Sequence, residues 1–249
     1  MVKILYFLYN WIIFVPIFFV ITLITALVVM IMTTLFGYKF WGYYPPKLWC
    51  MLTCWLSLCR VKTSGHENLD PKQSYIFVAN HQGAFDIFLV YGFLNQKIIW
   101  MQKQSLRKIP FVGYASEKAG HVFVDNSTPN TRAKSIINAK EKIIDGISMV
   151  IFPEGSRSHT GKMGRFKMGA YYIAHELNLP IVPLTINGSF DVLKRNTLNL
   201  NPGKLELVIH KPIPSDEINE DSIPDIINKT KEIIYSGLWD KYKDKDEKE

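Results

Sequence analysis

Cysteine is almost missing from this chain of 249 residues, and its distribution is as informative as its rarity. The three cysteines are Cys50, Cys54 and Cys59, so everything after residue 59 has none. A disulfide framework is therefore excluded, as is a cysteine nucleophile in the larger part of the chain. Their spacing is not Cys-x-x-Cys, so they read as small reduced apolar side chains, with lipidation of one as the alternative. Acid is missing from the first 60 residues, which carry Lys3, Lys39, Lys47 and Arg60. That stretch supplies +4 of the formal +7, and the remaining 25 basic and 22 acidic residues nearly cancel. With no basic stripe and no DNA- or RNA-binding module, the net charge does not signal a nucleic-acid partner. There is no G-x-S-x-G elbow, no H-E-x-x-H and no internal repeat, which excludes the serine-hydrolase and zincin signatures and a solenoid.

A long apolar run is what the first part has instead. Apolar residues make up 44 of the first 60 but only 75 of the remaining 189. From Ile4 to Phe36 only Asn10, Pro16 and Thr22, Thr25, Thr33 and Thr34 interrupt them. As a helix this stretch is about 50 Å long against a hydrocarbon core of about 30 Å. It is expected either to tilt strongly in a membrane or to break near Pro16. The run is too long for a cleaved leader, and no small-x-small site follows it. Tyr38, Trp41, Tyr43, Tyr44, Trp49 and Trp55 come next and suit the headgroup level, with 45–60 along the surface. The positive charges that follow the run favour a cytoplasmic position for the larger part. The division expected is a membrane-anchoring region at 1–60, a catalytic domain at 61–240 and a charged tail at 241–249.

Residues 62–73 are polar and turn-rich and read as a junction. Beyond it, strands are expected at 74–79, 97–101, 122–124, 149–152, 181–186 and 205–209. Helices are expected at 85–94, 131–145, 168–177 and about 221–239, followed by a disordered end from 240. The alternation indicates a layered α/β domain.

Two loops carry chemistry. Asn80-His81-Gln82-Gly83-Ala84-Phe85-Asp86 leaves a strand and enters a helix, at the strand end where α/β sheets bind ligands. Asp86 can hold one nitrogen of His81, leaving the other to take a proton from a substrate hydroxyl. In isolation the same residues also read as strand and helix caps. Phe152-Pro153-Glu154-Gly155-Ser156-Arg157-Ser158 follows another strand, with Lys162, Arg165 and Lys167 close behind. An Arg in a glycine turn beside lysines suits a phosphate, though a solvated basic loop has the same composition.

Together these segments resemble the glycerolipid acyltransferases, and among them the 1-acylglycerol-3-phosphate acyltransferases. The counterparts of that family's blocks are Asn80–Asp86, 120–126 (GHVFVDN), Phe152–Ser158 and Ile181-Val182-Pro183-Leu184. Lys103 lies in a segment similar to the lysine-bearing one that ends here in Ile109-Pro110-Phe111-Val112-Gly113, and Phe166–Gly169 looks like F-K-x-G. Gly83 departs from a usual Ser, Ser156 from Thr, Asn126 from Arg and Gln104 from a frequent Lys. The resemblance implies a glycerol-3-phosphate acyltransferase-like layered domain with a mixed central sheet. An N-terminal membrane-embedded helical segment is implied before it, as a two-helix anchor.

His81 and Asp86 are then catalytic, and Lys103, Glu154, Gly155, Ser156 and Arg157 bind the acceptor phosphate, with Asn80 and Lys167 as additional candidates. Glu154 is also expected to hold its loop. The expected reaction moves an acyl group from acyl-CoA or acyl-carrier protein to the sn-2 hydroxyl of a lysophospholipid, 1-acylglycerol 3-phosphate, at the membrane. No cofactor, metal or nucleic acid is implied. Alternatives are glycerol 3-phosphate or another lysophospholipid as acceptor, a membrane hydrolase, or a metal site drawn from His66, His81, His121, Asp86 and Asp125.

Overall fold

The computed structural model describes residues 2–124, 128, 137–143 and 146–243 of the chain. The apolar run folds as one helical rod: α1 (Val2–Tyr9), a π-helical turn (Asn10–Phe14) and α2 (Val15–Phe36). Pro16 does not break it, contrary to one of the two expectations. Where proline removes a donor, the ladder widens instead, and the Val15 N–H reaches back to the Asn10 carbonyl. The break comes at Gly37, whose φ of +82° suits glycine. A short helix α3 (Tyr38–Trp41) and a longer α4 (Tyr44–Leu56) follow.

Ile4–Phe36 is the one helix among the described residues long and apolar enough to cross a membrane. It pairs with α4: Phe18 stacks on Trp49, and the Trp49 indole donates to Thr22 Oγ1 at 2.9 Å. The Tyr9 hydroxyl donates to the Leu56 carbonyl at 2.8 Å. Cys50 and Cys54 on α4, and Cys59 just after it, are buried. Burial pushes their thiols up, that of Cys59 to about 11, which suits inert apolar packing.

The larger part is a sheet with strands β1 (Arg60–Ser64), β2 (Ile76–Ala79), β3 (Ile98–Lys103), β4 (Val122–Val124), β5 (Ser148–Ile151), β6 (Ile181–Asn187) and β7 (Lys204–Ile209). Their order is β1-β7-β6-β2-β5-β3-β4, and only the β6–β7 pair is antiparallel. The sheet is mixed, as expected. Alternation along the strands builds two cores. Phe77, Ala79, Trp100, Val150, Leu184 and Ile186 face α4 and α5 (Phe85–Phe93). Ile76, Val78, Ile99, Met149 and Ile181 face α7 (Gly169–Leu177) and α8 (Ile223–Ser236). The central strands are buried on both faces, which is why they read as continuous apolar runs.

Three expectations need correction. The start of the expected 62–73 junction is strand instead: residues 62–64, with Arg60 and Val61, form an edge strand paired in parallel with β7. Its alternating exposure and charged residues are what an edge strand tolerates. Helix α6 (Val112–Lys118) was not anticipated. The end of the chain is ordered further than expected. Asp240–Tyr242 form a 3-10 turn in which the Tyr242 ring is buried and its hydroxyl donates to Asp191 at 2.8 Å. Residues 244–249 lie outside the described residues, as do most of 131–145. Of that expected helix, 137–140 are helical, and Ala139 and Ile143 are buried while Ile137 is exposed.

Candidate active site

Strands β2, β5, β3 and β6 run parallel, so the loops leaving their carboxyl ends meet at one edge of the sheet. Asn80 closes β2, fully buried, and both ends of its amide bond the backbone of Ile186 on β6, at 2.8 and 2.9 Å. It acts as a peptide surrogate that fixes where the next residue emerges. That residue is His81. Its Nδ1 lies 2.7 Å from Asp86 Oδ2, and the same oxygen accepts the Gly83 N–H at 3.0 Å. Asp86 is wholly buried in the first turn of α5, and 14% of the His81 side chain is exposed. A carboxylate can only accept, so His81 carries its proton on Nδ1 and leaves Nε2 with a lone pair. Among the described residues Nε2 has no partner. The arrangement can take a proton from a hydroxyl and hold the resulting imidazolium.

The second loop locks onto the first. The Glu154 carboxylate accepts the His81 backbone N–H through Oε1 at 2.8 Å and the Gly164 N–H through Oε2 at 3.0 Å. In return the Ser158 N–H donates to the His81 carbonyl at 2.8 Å. Burial raises the Glu154 pKa, against the pull of those two backbone donors. Gly155 has φ of +74°, and a side chain there would meet the Lys167 ammonium, 2.7 Å from the Cβ position. Lys167 therefore lies over the Gly155 turn. The Arg157 carbonyl accepts from Arg195, while its guanidinium makes no ion pair among the described residues. Ser156 is exposed beside it. Arg157, Ser156 and Lys167 thus share one loop system next to His81. Lys103 ends β3 at the same edge, but its side chain lies outside what is described. Asp125 and Asn126 lie outside the described residues altogether.

Motif reading alone missed several contributors. The His81 ring stacks face to face on Phe152, with centroids 4.0 Å apart and planes within 10°, and Phe152 stacks in turn on Trp100. Phe152 stood in the sequence as the end of a strand and the first residue of the Phe152–Ser158 block, with no role of its own. Gln82 donates to the Gly161 carbonyl at 3.1 Å. Gly83 answers to a neighbour rather than to the chemistry: a Cβ there would lie 2.6 Å from Ser189 Oγ and 2.7 Å from the Ser189 carbonyl. The histidines do not converge. His66 bonds Thr63, and buried His121 accepts the Trp100 N–H, with no group of three metal-ligating side chains among the described residues.

A buried carboxylate orienting an imidazole at the carboxyl edge of a mostly parallel sheet places the chain in a class of α/β proteins with a histidine able to accept a proton there. The Acyltransferase family model matches residues 60–187, just over half of the chain. The chain belongs to that family. It is 31% identical to the chloroplastic 1-acyl-sn-glycerol-3-phosphate acyltransferase BAT2 of Brassica napus, over 69% of this chain and 50% of the other. It is 30% identical to the Saccharomyces cerevisiae enzyme of the same name, over 72% and 59%. To the human alpha form it is 26% identical, over 69% and 61%. The chain thus spans about half to three fifths of the curated relatives it matches. Its fold is that of a crystal structure of the 1-acyl-sn-glycerophosphate acyltransferase from Thermotoga maritima, with a TM-score of 0.77 over 95% of this chain and 97% of that one at 24% identity.

Proposed function

We infer that the protein transfers a fatty acyl group from a thioester to the sn-2 hydroxyl of 1-acylglycerol 3-phosphate, making phosphatidic acid. The observation that carries this reading is the 2.7 Å contact of His81 with buried Asp86, beside a loop bearing Arg157 and Lys167. His81 Nε2 removes the hydroxyl proton as the oxygen attacks the thioester carbonyl. The tetrahedral adduct then collapses, the carbon–sulfur bond breaks, and the imidazolium returns its proton to the departing thiolate. General-base help of this kind contributes roughly 10²–10⁴-fold. Arg157 grips the acceptor phosphate in a bidentate way, with Lys103, Lys167 and the Ser156 hydroxyl around it and the Gly155 turn allowing close approach. Glu154 holds the loop instead of meeting the phosphate, because two backbone donors already occupy its oxygens.

The donor is acyl-CoA or acyl-carrier protein. The catalytic part lies on the cytoplasmic face of the membrane, on the side of Lys39, Lys47 and Arg60. The test is a mixed-micelle assay of the full chain with labelled acyl-CoA or acyl-carrier protein. It is run against a panel of lysophosphatidate, glycerol 3-phosphate and neutral lysophospholipids. Product is expected from lysophosphatidate, with a loss of at least about a hundredfold in His81→Ala. Full activity in that variant, or transfer to every acceptor except lysophosphatidate, would overturn the reading.

A further inference from the structure

Five large apolar side chains lie exposed within nine positions after β3: Leu106, Ile109, Phe111, Val112 and Tyr114, between 40% and 56% accessible. Scattered surface apolar residues need no explanation, but a contiguous group of this size marks a contact surface. The backbone adds a second sign. Phe111 has φ of +59° and ψ of −49°, a strained conformation for a bulky residue, and more than half of the residue is exposed. Its carbonyl starts the helix that follows, accepting the Ala115 N–H at 2.9 Å, while the side chain is left on the surface.

What covers this surface is indicated by its neighbours. Helix α6 packs on α2 through Ala115 and Ala119 against Ala26 and Val29, so the patch adjoins the apolar rod. Residues 104–118 contain Arg107, Lys108 and Lys118 against Glu117, a net charge of +2. Arg107 pairs with Glu117 at 2.5 Å, and Lys118 lies 5.5 Å over the Tyr114 ring. Apolar and aromatic side chains with surplus lysines make up the composition of an interfacial membrane segment. The patch also hangs from the carboxyl end of β3, the sheet edge that bears His81 and Phe152.

We propose that 106–114 is a second membrane contact, inserting into the headgroup region of an anionic leaflet and holding the His81 edge of the sheet against the bilayer. The proposal rests on the membrane attachment read from α2, and the test separates the two. Single cysteines replace Ile24 on α2, Phe111, and Glu220 beyond β7 at the opposite edge. Each is spin-labelled in the full chain, where the three buried native thiols leave little background. The labelled chains are reconstituted in phosphatidylcholine–phosphatidylglycerol vesicles, and Tyr114→Cys repeats the measurement should the label at 111 disturb folding.

Accessibility to oxygen and to a water-soluble nickel chelate is then read. The labels at 24 and 111 are expected to favour oxygen, with nickel access at 111 at least about fivefold below that at 220. Nickel access at 111 equal to that at 220, with 24 still in lipid, overturns this proposal alone. A water-exposed label at 24 overturns the attachment as well. Shielding at 111 from both reagents, growing with protein density, assigns the patch to a second copy of the chain and also overturns it.

Discussion

Replacing Asp86 by Asn tests whether the carboxylate supplies charge or only geometry. Asp86 Oδ2 accepts two N–H groups, from Gly83 at 3.0 Å and His81 at 2.7 Å, whereas Oδ1 is buried with no partner among the described residues. An asparagine that turned its amine toward this pair would set donor against donor at Gly83. Its oxygen therefore takes the Oδ2 place, the His81 tautomer survives, and what disappears is the negative charge. A hydrogen bond to a charged group contributes about 1.5–3 kcal/mol and a neutral one about 0.5–1.5 kcal/mol. The imidazolium formed during transfer thus loses roughly 1–2 kcal/mol, or about 5–30-fold in kcat. Asp86→Ala removes the orienting group as well and should fall to the level of His81→Ala, roughly 10²–10⁴-fold down. Initial rates with labelled thioester and saturating lysophosphatidate give both numbers, and thermal melts in detergent check that each variant is folded. Full activity in folded Asp86→Asn would show that the charge is not used. A folded Asp86→Asn as inactive as Asp86→Ala would refute the orientation derived from Gly83.

His121 should make the fold acid-sensitive. Burial, assisted by Lys142, lowers its pKa from 6.5 to about 3, so its contribution is present above pH 6.5 and is lost as pH falls toward 3. The loss is about 1.4 kcal/mol per pH unit; melts at pH 6.5 and 4.5 should drop further in the wild type than in His121→Gln, and equal drops would sink the idea. Gly83→Ala drives a Cβ into the Ser189 backbone and should cost about 1–3 kcal/mol. Gly83→Ser should melt no higher than Gly83→Ala; a stable, active serine variant would mean the departure at 83 has no structural cause. Phe152→Leu removes the ring under His81, worth about 0.5–1.5 kcal/mol. A several-fold loss of kcat with KM unchanged for both substrates is expected, and a pure KM effect would count against a positioning role.

The sequence was most legible where burial is symmetrical. Strands β2, β5 and β6 are covered on both faces and announce themselves as unbroken apolar runs. Strand β1 was not legible, because Arg-Val-Lys-Thr-Ser at a sheet edge follows the same polar rule as a loop and is defined only by β7, far away in the chain. Helix α6 was hidden for a related reason: its small residues, Ala115 and Ala119, have meaning only against α2. At the site, the His81–Asp86 pair could be read from a five-residue spacing within one loop. The Phe152 ring and the Glu154 tie to the His81 amide bridge two loops more than seventy residues apart, so only the β2–β5 register brings them together.

That register also explains why two weak local signals become one strong arrangement. In parallel strands the carboxyl ends share an edge by necessity, so once Ile76–Val78 pair with Met149–Ile151, the two loops that follow must meet. The contacts between them then act in one direction. Glu154 takes the His81 amide, Ser158 returns a bond to the His81 carbonyl, and Asn80 secures the other side to Ile186. His81 is thereby held by its backbone from both flanks before its ring is placed by Asp86 and Phe152. Arg157, three residues beyond Glu154, makes no ion pair among the described residues, which under the proposed function leaves its guanidinium for a lipid headgroup to engage. The division of labour follows the solubility of the partners. Under the proposed function, the group that must be aligned for proton transfer is rooted in the sheet, and the groups that would meet an anionic headgroup are left on the loop beside it.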